Sequence, residues 1–149
     1  MPQSGWVEKR RHERVLATLK MEYQLVSGPQ AQKLLDQENY KLTQTEHLPE
    51  LSEKSPLYRA VTRDISLGGL SLVTQQPLVQ GAILEISLHL PNYKTTLKFL
   101  ARIMHVESSV EMGRTLFHAG IRTLAIHKGD VERIGDFLID QKNWEEPAT

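Results

Sequence analysis

Two short clusters in this chain carry residue types able to hold a flat, anionic ligand. The first is Lys9-Arg10-Arg11-His12-Glu13-Arg14, in which Arg10 and Arg14 stand four apart, ahead of the first strand-like stretch. A guanidinium presents planar, forked donors that match phosphate oxygens, and its face stacks on flat rings. Two such groups on one arm can grip a phosphate and a guanine O6/N7 edge together, the edge that arginine reads in nucleic acids. The second cluster is Asp64-Ile65-Ser66-Leu67-Gly68-Gly69. Asp64 and Ser66 lie two apart near the end of a strand, so both side chains can face one way. A carboxylate can accept from the N1–H and N2–H pair of a guanine, and a hydroxyl can donate or accept beside it. Gly69 is expected to permit positive φ and close approach of a ligand to the backbone. Taken singly, each cluster has a plainer reading. A basic run is commonly a solvated arm, and Asp, Ser and Gly are the usual turn formers.

Composition removes most other chemistry. The chain has no cysteine, which excludes disulfides, thiolate metal sites and cysteine nucleophiles. Its six histidines show no metal-ligand spacing. His89, His105 and His118 fall in strand-like stretches and are expected to be surface or satisfied polar groups, whereas His12, inside the arm, is placed to stack on a base. There is no G-x-x-x-x-G-K-[ST] loop and no G-x-S-x-G elbow, and Gly68-Gly69 leads into a strand, not a helix. No catalytic residue, metal site or cofactor is expected, and the chain is not read as an enzyme. Eighteen basic residues balance eighteen acidic ones. A nucleic-acid polymer is therefore not an expected partner, because that binding rests on phosphate neutralisation. Residues 1–7 hold no apolar run suited to a signal sequence, and no stretch approaches the ~20 apolar residues of a membrane span. The expected setting is the cytoplasm.

The elements that must position these clusters read mainly as strands. From Val15 to Leu25, apolar residues alternate with mostly polar ones, the period of a half-buried strand. Ser27-Gly28-Pro29 ends it. Strand signals resume over 57–65, 70–74, 82–90, 95–106 and 115–123, with turns at Ser66–Gly69, Pro77–Gly81, Pro91-Asn92 and Gly113. Such a series suggests an antiparallel barrel or sandwich. Val131, Ile134 and Leu138 share one face of a closing helix over 130–141, with Asp130 as its N-cap. The polar stretch between is expected to be a long surface loop, with a short helix over 30–40. The expected organisation is an arm over 1–14, a barrel plus helix over 15–141 with an insertion over 28–56, and a tail over 142–149.

The order of these parts, an arginine pair, a strand, then Asp-x-Ser-x-x-Gly within an all-β series, resembles the PilZ family. The stretches EKRRHERV, YRAVTRDISLGGLSLVTQQPLVQGAILEISLHLP, ARIMHV and FHAGIRTL follow in that family's order. The resemblance implies an all-β fold, a small split-type antiparallel barrel with a C-terminal helix, whose ligand is the second messenger cyclic di-GMP. It implies that Arg10 and Arg14 hold phosphate and a guanine edge, that Asp64 and Ser66 read guanine, and that Gly69 gives the ligand room. It assigns Lys9 to binding of a stacked ligand pair and Arg11 to a further phosphate, both as secondary contacts. It also implies a protein effector and an output in motility, exopolysaccharide synthesis and biofilm, or pilus function. A ligand-independent protein adaptor on the same fold is the alternative, although adaptors of that kind generally lack one of the two clusters. In one respect the chain departs from the family pattern: Asp64 lies 50 positions after Arg14, and the excess falls in the insertion. Such an insertion costs little in closure entropy.

Overall fold

Period-two alternation sends one face of each strand inward. In β2 (Lys20–Val26) Met21 and Tyr23 are each 1% exposed while Lys20 is solvated. The same pattern builds β4 (Tyr58–Ser66), β5 (Gly69–Thr74), β6 (Ile83–Leu88), β7 (Leu97–Glu111) and β8 (Arg114–His127). The computed structural model describes residues 14–36, 43–91, 93–94 and 96–145. Six strands close on themselves: β4 pairs with β2, β2 with β6, β6 with β7, β7 with β8, β8 with β5, and β5 again with β4, every pair antiparallel. Closure leaves the ring without an edge. Two further strands flank it. β1 (Val15–Leu16) lies antiparallel to β4, and β3 (Thr43–Thr45) lies parallel to β8. The expected barrel is therefore the fold.

Its interior is filled by Leu72, Leu84, Ile86, Leu88, Leu97, Phe99 and their neighbours. The Tyr23 hydroxyl is a polar exception. It hydrogen-bonds Thr74 Oγ1 at 3.1 Å, and burial pushes its pKa upward. One end of the barrel is closed by α2 (Lys128–Glu145), which sets Ile134, Phe137 and Leu138 into the same core. This helix starts two residues earlier than its apolar spacing suggests. The Nδ1 of His127 accepts the Gly129 N–H at 3.0 Å and fills the capping role expected of Asp130, which instead pairs with Arg133 at 3.0 Å. Both β7 and β8 outrun their expected bounds because the two-residue turn Met112-Gly113 joins them, with φ of 52° and 78°. Positive φ at both central residues matches the right-handed twist of paired strands.

The insertion holds the short helix expected near residue 30, but it is not otherwise a simple surface loop. Gly28 takes φ of 91° and hands the chain to α1 (Pro29–Asp36), where proline fits the first turn. Ala31 and Leu51 are buried against Val26, Ile83, Leu100, Leu124 and Ala125, with Leu34, Leu35 and Leu48 packed around them. This second core lies outside the barrel, on the solvent-side face of β6, β7 and β8. Polar groups pin its return limb. Ser55 N–H donates to Leu25 O and its hydroxyl accepts the Leu25 N–H, both at 2.8 Å. Lys54 and Lys98 meet the buried Glu85 carboxylate at 3.0 and 3.6 Å. Leu51→Ala should accordingly destabilise the chain by about 2–3 kcal/mol in denaturant melts, as for other buried leucines; a residue on a solvated loop would show almost no change.

Candidate functional site

The first strand expected from alternation breaks in two, and the break builds the site. Thr62 points inward and is 1% exposed. Its hydroxyl accepts the Leu19 N–H at 2.9 Å and donates to the Ala17 carbonyl at 2.6 Å, standing in for ladder partners across residues 17–19. The pairing of β1 and β2 with β4 consequently shifts by one residue. A bulge between Thr62 and Asp64 disturbs the β4–β5 pairing at the same level. Bulges of this kind re-aim side chains. Here β1 is set against the end of β4, so Arg14, just before β1, lies over Asp64.

The Arg14 Nη1 reaches Asp64 Oδ1 at 2.6 Å and lies 3.5 Å from Ser71 Oγ. The arginine side chain is 50% exposed and the carboxylate 24%. An ion pair this open contributes little to stability. Its value is positional, because it fixes a guanidinium beside a partly exposed carboxylate. Two residues on, Ser66 is buried, and its hydroxyl donates to the Gly69 carbonyl at 3.2 Å, closing the turn.

Gly69 requires a different explanation from the one its type suggests. It is not among the described glycines with positive φ. A Cβ placed on it would lie 2.0 Å from the Ile121 carbonyl oxygen. Glycine is needed there because β8 passes too close for any side chain. Of the other expected site residues, Lys9, Arg10 and Arg11 lie outside the described residues, as does His12.

His105, expected only as a surface or satisfied polar group, is a further neighbour of the site. Register places Asp64 opposite Ser71, Ser71 opposite Gly120, and Gly120 opposite His105, in one row across four strands. A Cβ on Gly120 would meet the His105 ring at 2.1 Å, so the exposed imidazole lies over that glycine. No motif announces this row; only the long β7–β8 register brings His105 to it. Among the described residues no group of His, Asp and Glu is arranged to hold a metal ion, and no helix is long and apolar enough to cross a membrane.

Comparison with known proteins agrees with this architecture. No curated protein matches the chain by sequence. Among solved structures it is similar to the PilZ domain of YcgR from Escherichia coli, described as holding c-di-GMP, with a TM-score of 0.54, 14% identity, and coverage of 92% of this chain and 96% of that one. It is also similar to the inhibitor of motility MotI/DgrA from Bacillus subtilis, with a TM-score of 0.58, 15% identity, and coverage of 90% and 51%. A third is the PlzA protein from Borreliella burgdorferi, described as a complex with c-di-GMP, with a TM-score of 0.56, 10% identity, and coverage of 98% and 57%. The chain thus spans about half the length of the latter two. The PilZ domain family matches residues 8–140, and the chain belongs to that family.

Proposed function

We propose that this chain is a cyclic di-GMP receptor domain that passes the level of the second messenger to a protein partner. The observation that carries the reading is the meeting of Arg14 with Asp64 at 2.6 Å, which joins the root of the basic arm to the Asp-x-Ser turn. Two proteins of the same fold are described with c-di-GMP bound, which supports the choice of ligand. In this reading the Asp64 carboxylate accepts from a guanine edge, and Ser66 holds the turn that presents it. Arg10 and Arg14 take phosphate and the guanine O6/N7 edge, with Lys9 and Arg11 as secondary contacts that favour a stacked ligand pair. The exposed His105 ring is a platform on the same row. Charge-assisted hydrogen bonds of this kind each contribute about 1.5–3 kcal/mol, enough for micromolar binding after the entropic cost of association.

Ligand contacts are also the output. A dinucleotide bound over β4 and β5 changes the surface that a cytoplasmic effector meets. Similarity to a motility inhibitor makes motility the first process to examine. Thermal melts test the ligand directly. At a hundred times its dissociation constant, cyclic di-GMP should add about 2.7 kcal/mol and raise Tm by roughly 5–10 °C. Cyclic di-AMP, which lacks the guanine donors, should do far less. Equal shifts for both would remove the guanine-reading role of Asp64.

A further inference from the structure

Thr62 and Ile65 both point into the barrel, each 1% exposed. In a regular strand the two residues between them would face opposite ways. The bulge prevents this, and Arg63 and Asp64 both stand on the outer face. A second guanidinium is therefore delivered beside the site carboxylate by the same irregularity that aims Asp64.

The setting of Arg63 differs from that of Arg14. Its Nη1 lies 3.3 Å from His118 Nδ1, across β5 at the level of Val73, while His118 Nε2 lies 2.8 Å from Ser109 Oγ. An arginine can only donate, so Nδ1 is the acceptor of this contact and Nε2 is the ring nitrogen turned to Ser109. Glu107 is the acidic residue opposite His118 in the β7–β8 register. Arg14 already meets a carboxylate, so its charge is largely compensated. Arg63 is held by an imidazole nitrogen and not a carboxylate, and a hydrogen bond of that type is weaker than one to a phosphate. A guanidinium has five N–H donors, so a dianionic ligand seated on Asp64 can take others of them while Nη1 keeps its contact with His118.

We propose that Arg63 is a further ligand-contacting residue of this site, donating to a phosphate oxygen of the cyclic dinucleotide, and that His118 is the positioning residue that holds its guanidinium over β5. This rests on the cyclic di-GMP reading above. Substitution at Arg63 leaves the strand junction intact, because its part there is a backbone one, the Arg63 carbonyl accepting the Ala17 N–H at 3.0 Å.

The test is calorimetric titration of cyclic di-GMP into the whole chain and its variants at low and high salt. Arg63→Ala should weaken binding about five- to tenfold, in keeping with loss of one charge-assisted bond. It should also flatten the salt dependence of the affinity, because screening acts on the charge removed. Arg63→Lys should recover part of both effects, and His118→Phe should weaken binding less, with the salt dependence kept. If wild type binds and Arg63→Ala binds equally well with unchanged salt dependence, this inference alone falls. A loss in Arg63→Ala that is matched by a lowered melting temperature of the unliganded chain also overturns it, since the residue would then be structural. If wild type takes up no ligand, the receptor reading falls and this inference with it.

Discussion

Asp64→Ala should lower the affinity for cyclic di-GMP at least tenfold while leaving the melting temperature of the unliganded chain nearly unchanged. The carboxylate is partly exposed and its one described ion pair, to Arg14, is open to solvent. Removing it therefore costs the fold little. Ligand binding is different, because a guanine offers two adjacent donors to one carboxylate, and each bond to a charged acceptor contributes about 1.5–3 kcal/mol. A tenfold change needs only ~1.4 kcal/mol. Arg14→Ala should behave alike, with a loss of similar size. Asp64→Asn is the sharper variant, since it keeps the shape and one acceptor but places an NH2 donor against the guanine donors. Binding unaffected by all three substitutions would place the ligand elsewhere on the barrel even if the chain binds it.

Gly69→Ala carries the largest expected effect on stability. One methyl group must occupy space where its carbon would sit 2.0 Å from the Ile121 carbonyl oxygen. The obstacle is backbone, held in place by β8 pairing with both β5 and β7, so no side chain can swing aside. Forcing atoms into packed structure typically costs up to about 3 kcal/mol, and this substitution should reach or exceed that figure in denaturant melts. The result also separates two roles for the glycine. A variant as stable as wild type that binds poorly would return Gly69 to the role of giving the ligand room. A destabilised variant places the requirement in the approach of the two strands.

Much of this architecture is visible in the chain before folding. Met21 and Tyr23 alternate with polar residues because one face of β2 lies against the core. Likewise the glycine and proline turns mark where strands end. Local patterns of this kind need no knowledge of partners. What the sequence hides depends on which strand lies beside which. The one-residue shift at residues 17–19 depends on the Thr62 hydroxyl, 43 positions away from Leu19. The delivery of Arg63 to the face of Asp64 depends on a bulge opposite β5. His105 comes to the site row only through the long β7–β8 register. The insertion misleads for another reason: its apolar residues are few and separated by polar ones, and they make a core only by covering Ile83, Leu100 and Leu124 on the outside of a barrel. Of the candidate site, the structure brings Arg14 to Asp64, while Lys9, Arg10 and Arg11 lie outside the described residues.

The most direct measurement is titration calorimetry of cyclic di-GMP into the full chain. Saturable binding with a dissociation constant of about 1 μM or tighter is expected, with one or two ligands per chain and a loss of at least about tenfold in Arg14→Ala. Absence of any binding heat, together with no thermal protection, at about 100 μM ligand would contradict the receptor function.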